Sequence, residues 1–68
     1  MKNYIKDSSN RILGWTQNNG SMESAYDKHG KYLGKYDIRV NKTYDISGRL
    51  LSTGNTLSAL IVTSTLDF

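Results

Sequence analysis

A nine-residue phrase occurs three times in this chain and restricts what it can fold into more than any other feature. It reads Lys6-Asp7-Ser8-Ser9-Asn10-Arg11-Ile12-Leu13-Gly14, then Tyr26-Asp27-Lys28-His29-Gly30-Lys31-Tyr32-Leu33-Gly34, then Tyr44-Asp45-Ile46-Ser47-Gly48-Arg49-Leu50-Leu51-Ser52. An Asp opens each phrase, and three residues later stands Asn10, Gly30 or Gly48, the residue types that reach positive φ at least steric cost. That is hairpin chemistry: the Asp carboxylate accepts a backbone N–H two residues on, and the left-handed residue closes a type I turn through a one-residue bulge. The phrases start 20 and then 18 residues apart, the length of one two-stranded unit with its turns. A unit this short cannot bury a core alone and must lean on its neighbours.

The repeat therefore predicts a mainly β chain, an antiparallel meander of about six short strands in one small domain spanning residues 1–68. Tyr4 to Lys6, Arg11 to Gln17, Met22 to Tyr26, Lys31 to Tyr36, Lys42 to Tyr44 and Arg49 to Leu51 are the expected strands. Asn18-Asn19-Gly20-Ser21 supplies a further tight turn, because Asn-Gly is the strongest short hairpin signal. Asp37 to Asn41 makes a longer, more polar connection. Beyond Gly54, Asn55 is placed to cap a helix over Thr56 to Val62, whose Leu57, Leu60 and Ile61 recur at i, i+3 and i+4 and would lie on one face of the sheet. The β-branched Ile61, Val62 and Thr63 leave a further strand as the alternative, and residues 63–68 are expected as a tail that docks or frays.

With 68 residues, 37% of them hydrophobic, and no cysteine, the chain has one small core and no disulfide to reinforce it. Self-association is the remaining economical route to stability at this size, so a homo-oligomer is expected. Strand alternation supports it. Ile12 and Gly14 would share one face with Leu13 and Trp15 on the other, and Tyr32 and Tyr36 would oppose Leu33, so both faces carry apolar groups. One short helix covers only one of them. A sheet coiled around Ile12, Tyr32 and Leu50 is the competing explanation. The amino end lacks the apolar core of a secretory signal, and no stretch approaches the roughly 18 apolar residues of a membrane span, which suggests a protein of the cytosol or one acting inside a host cell.

Catalysis is not expected. His29 sits in a turn with no second histidine or cysteine to share a metal, and a structural zinc site normally takes four such ligands. No serine has a base and an oxyanion site spelled out around it, and Asp7, Asp27 and Asp45 are accounted for by their turns, spread over separate hairpin tips. No phosphate-cradling glycine motif occurs, so neither cofactor nor metal is expected.

Charge and aromatics point to binding instead. The net charge is +3 and the pI about 9.3, with nine Lys and Arg interleaved among six Asp and Glu and no basic run. Arg11, Lys31 and Arg49 each follow the turn residue at the same place in the repeat and would form a short basic row if the repeats stack in one sheet; solvated charges flanking turns are the plainer reading. Tyr4, Trp15, Tyr26, Tyr32, Tyr36 and Tyr44 interleave with cations, as in sheets that stack single-stranded nucleic acid, although tyrosine is equally favoured in strands for packing.

Tyr26-Asp27-Lys28-His29-Gly30-Lys31-Tyr32-Leu33-Gly34-Lys35-Tyr36-Asp37, followed by Asn41-Lys42-Thr43-Tyr44-Asp45 and Gly54-Asn55-Thr56-Leu57-Ser58-Ala59-Leu60-Ile61, resembles small proteins encoded by bacteriophages and prophages. Their pattern is Tyr-Asp-x-x-Gly-x-x-Leu-Gly-x-Tyr-Asp, then Thr-Tyr-Asp-x-x-Gly-Arg, then Gly-Asn-x-Leu. The match covers Tyr26 to Ile61, about half of the chain, and departs from the pattern at Ile38, where proline is frequent, and at Ser52, where glycine is usual. The resemblance implies a viral origin and carries no catalytic residue over.

Three functions from different classes follow. The first, favoured here, is a non-catalytic viral or prophage accessory protein that binds and modulates a host protein through a sheet edge or an aromatic hot spot such as Trp15. The second is a nucleic-acid-binding module using Arg11, Lys31, Lys35 and Arg49. The third is a self-assembling structural protein with an apolar interface around Leu13, Trp15 and Leu33.

Overall fold

The computed structural model describes residues 2–66. Six antiparallel strands, β1 (Lys2–Lys6), β2 (Ile12–Asn18), β3 (Met22–Asp27), β4 (Tyr32–Asp37), β5 (Lys42–Asp45) and β6 (Leu50–Thr53), form one sheet in the order in which they occur in the chain. One helix, α1 (Leu57–Ser64), closes the fold. The expected meander and the helical reading of the carboxyl end both hold. The helix starts one residue later than expected and runs two further, so Thr63 and Ser64 belong to it rather than to a tail. Leu66 is exposed, its N–H donating to Thr63 O, and Phe68 lies outside the described residues.

The three repeated phrases make the three hairpins at one end of the sheet, and their chemistry is the one the sequence spells. Asp7, Asp27 and Asp45 each accept the N–H of the residue two positions on through Oδ1, from Ser9 at 2.8 Å, His29 at 2.8 Å and Ser47 at 2.9 Å. Asn10, Gly30 and Gly48 hold φ of 64°, 86° and 88°. Each hairpin then carries a bulge, at Ile5/Lys6, Ala25/Tyr26 and Thr43/Tyr44, opposite one extra residue in the returning strand. Leu13, Leu33 and Leu51 are those extra residues.

The bulge overturns the simple alternation expected for β2 and β4. An extra residue reverses the count of inward and outward positions beyond it. Leu13 and Leu33 pack against the core beside α1, as does Tyr36, whereas Trp15, Tyr26 and Tyr32 contact one another on the opposite face. Leu13 and Trp15 therefore do not share a face, and neither do Tyr32 and Tyr36.

The core is small and one-sided. Leu57 and Ile61, one helical turn apart, and Ala25 beneath them are fully buried, with Ile5, Leu13, Leu33 and Leu60 around them. Gly14 and Gly34 let the helix lie close: a Cβ on Gly34 would sit 2.7 Å from Leu60 Cδ2 and 2.5 Å from Tyr44 O, and one on Gly14 would meet Ile61 Cγ2 at 2.9 Å. The N-cap position is Thr56, which makes no side-chain cap bond; Asn55 instead supplies Oδ1 to the Leu57 N–H at 3.1 Å. The helix packs chiefly on β2, β3 and β4. The shortest dimension is 19 Å, and among the described residues no second layer lies on the other face of the sheet.

Candidate interaction surface: the open face of the sheet

On the uncovered face the register sets four aromatic residues side by side. Tyr4 faces Trp15, Trp15 faces Tyr26 and Tyr26 faces Tyr32 across β1 to β4. Ring centroids follow at 6.3, 5.6 and 6.0 Å, the middle pair stacked and the outer two tilted or edge-on. Cross-strand aromatic pairs of this kind contribute roughly 0.5–1.5 kcal/mol each beyond burial, so the row also ties β1 to β4 together on the side without a roof. Trp15 reaches as far as the Gly30 turn. Burial pushes the pKa of Tyr32 up, and the neighbouring Tyr26 adds to the rise, so its hydroxyl stays neutral at physiological pH.

Lysines flank the ladder. The adjacent row runs Lys2, Gln17, Ser24, Lys35, Tyr44 across β1 to β5. Lys2 Nζ stands 4.8 Å from the Trp15 ring centroid and Lys35 Nζ 5.9 Å from that of Tyr44. Alternation along β1 and β5 adds Lys6 and Lys42 to the same side. Asp37, paired with Lys42 in the register, is the only acidic position the register assigns to this face among the described residues; its Oδ1 accepts the Arg39 N–H at 3.0 Å and lies 3.5 Å from the Arg39 guanidinium. The face is thus apolar, aromatic and cationic.

The six residues singled out in the sequence are not one site. Trp15 and Lys35 are on this face. Leu33 is half-buried beside the helix and is withdrawn from any partner on the open side. Arg11, Lys31 and Arg49 do lie at one end of the sheet, about 10 Å from one turn to the next because each is two strands on. Each, however, is met by the Asp of its own turn, whose Oδ1 accepts its backbone N–H at 3.0, 2.9 and 2.9 Å. The Arg11 Nε also pairs with Asp7 Oδ2 at 3.1 Å. All three carboxyls are held below their ordinary value of 3.8, Asp7 and Asp27 chiefly by the N–H groups of Arg11 and Lys31, Asp45 chiefly by the Ser47 hydroxyl. They are ionised at neutral pH, and the row alternates in sign rather than forming a basic stripe.

Lys2, Tyr26 and Tyr32 were not singled out as site residues. Their signal was present but needed the bulge: counted from each hairpin partner instead of straight through the turn, the Tyr that opens the second phrase and the Tyr two places after its glycine fall on one face with Trp15.

The helix side offers a shallow groove between β1 and the start of α1, lined by Asn3, Ile5, Thr16, Glu23, Asn55 and Ser58. Glu23 there accepts from Asn55 Nδ2 at 3.1 Å. Among the described residues no group of three or more His, Cys, Asp or Glu is placed to hold a metal ion, and no helix is long and apolar enough to cross a membrane. No family model matches this chain, and no curated protein or solved structure matches it either.

Proposed function

We propose that this chain is a non-catalytic accessory protein of bacteriophage or prophage origin that acts inside the bacterial cell by docking the open face of its sheet on a host macromolecule. One observation carries the reading: four aromatic side chains stand in a row on the face that the helix leaves without a roof. Exposed contiguous aromatic surface on a small soluble domain marks interaction sites, and Trp and Tyr are the residues that dominate them. The recurrence of the Tyr-Asp-x-x-Gly pattern of phage-encoded small proteins supports the origin. On the sequence a host protein ranks first and a nucleic acid second as the target, and docking through this face is common to both. A contact made through an apolar interface of Leu13, Trp15 and Leu33, the self-assembly reading, loses its basis because those side chains lie on opposite faces.

The test is capture from bacterial lysate with the wild-type chain and with Tyr26→Ser and Trp15→Ser, each with and without nuclease. A macromolecule retained by the wild type and lost from both variants supports docking through this face. Retention equal in all three chains, or in none, overturns it.

A further inference from the structure

We infer that the occupant of the open face is single-stranded nucleic acid, an inference that rests on the docking reading above and names its partner. The face combines two things that a single strand needs, aromatic platforms and regularly placed cations. Bases released from a duplex present apolar π-faces, and phosphates present regularly spaced negative charge. The ladder Tyr4–Trp15–Tyr26–Tyr32 offers aromatic groups at steps of 5.6–6.3 Å across four strands. Lys2 and Lys35 lie in the neighbouring row, one pleat repeat or about 7 Å along the strands, with Lys42 on β5 one row further out, opposite Asp37. A strand laid across β1 to β4 would stack its bases on the ladder and run its phosphates along the lysines.

Charge disfavours a second copy at low salt, and access to the bases disfavours a duplex. The one carboxylate on this face, Asp37, is answered by Arg39. A second copy would bring its own lysines against these. Duplex DNA would meet the lysines but hide its bases from the rings. The turn cations Arg11, Lys31 and Arg49 take no part, since each shares its turn with an ionised Asp.

Trp15 is the only tryptophan in the chain, so its fluorescence reads the face directly. The intact protein is titrated with a short oligothymidylate and a short oligouridylate, and separately with a duplex of the same length, across a salt series. The inference requires saturable quenching by the single strands, weaker binding of the duplex, and a log affinity that falls by about 0.7 per phosphate contact per decade of salt. Lys35→Gln and Lys2→Gln should each flatten that slope by about the same 0.7, while Arg49→Gln leaves it unchanged. Tyr32→Leu should weaken binding by roughly five- to one-hundred-fold, the worth of one stacked base. The lysine variants keep the ladder intact, so they decide the matter even if Tyr32→Leu unfolds. Absence of single-strand binding, equal binding of the duplex, or a slope set by Arg49 overturns the inference. If it falls while lysate capture still retains a nuclease-resistant protein that Tyr26→Ser loses, docking stands and its partner is a protein; if both fail, the docking reading falls with it.

Discussion

Thr16 and Thr43 are the two buried polar residues of the helix-covered face, 4% and 0% exposed, and their hydroxyls have opposite fates. Thr43 Oγ1 donates to Gly54 O at 2.6 Å and accepts the Thr56 N–H at 3.2 Å, tying β5 to the start of the helix. Thr16 Oγ1 makes no hydrogen bond. An isosteric methyl therefore changes sign between them. Thr43→Val strands a carbonyl and an N–H and should cost about 1–3 kcal/mol, whereas Thr16→Val removes an unpaired group and should stabilise by about 1 kcal/mol. Urea unfolding of the two variants measures both. The turn aspartates give a second prediction. Their folded pKa values lie below 3.8, so the stability they contribute is fully present above the ordinary carboxyl value and is lost as pH falls through the depressed one. Asp27→Asn keeps an amide oxygen for the His29 and Lys31 N–H groups but removes the titration. The unfolding midpoint of the variant should fall less steeply than that of the wild type below about pH 4, and equal slopes would refute this account of the turn.

Among the elements, the helix depends most visibly on what lies beneath it. Gly34 faces both the Tyr44 carbonyl and Leu60 Cδ2, so Gly34→Ala must push the helix away or bend β4, at about 1–3 kcal/mol. Leu60→Ala removes the methyl groups in the way and should cost less in the Gly34→Ala background than in the wild type. A double-mutant cycle by thermal unfolding reads that coupling; additive costs would place the clash elsewhere. The hairpins were legible because Asp, a left-handed residue and their spacing are local chemistry written within nine residues. The helix was legible from Leu57, Leu60 and Ile61. The facing of β2 and β4 was not, because a bulge at Leu13 and Leu33, three residues past each left-handed turn residue, inserts one position into the returning strand, and the effect appears only once Tyr26 is set opposite Tyr32 and Ala25 opposite Gly34. Leu51 shows the same device without a lid. It is the bulge residue of the third hairpin, equivalent to Leu13 and Leu33, yet it is 46% exposed because the helix lies chiefly over β2, β3 and β4, away from β6.

For the whole molecule the question is what such a thin fold does with its bare side. Of the candidate surface, Trp15 and Lys35 were readable one residue at a time; the ladder was not, since it is a property of pairing across four strands. The row of Arg11, Lys31 and Arg49 has Asp7, Asp27 and Asp45 beside it in the turns, in keeping with the plainer reading of solvated turn charges, while Lys2, Lys6, Lys35 and Lys42 gather on the open face. This distribution separates self-association from nucleic-acid binding by the sign of one dependence. Two open faces brought together would bury aromatic area, which favours pairing, but would also oppose lysine to lysine, which screening relieves. Self-association of the free chain through this face should therefore strengthen as salt rises, where a complex with a polyanion must weaken. Light scattering over a salt series should show the mass moving from monomer towards dimer, and Trp15→Ser should abolish the shift. An assembly that is already complete at low salt and indifferent to Trp15→Ser would place the contact elsewhere, and the exposed Leu51 beyond the reach of the helix would then be the first residue to replace.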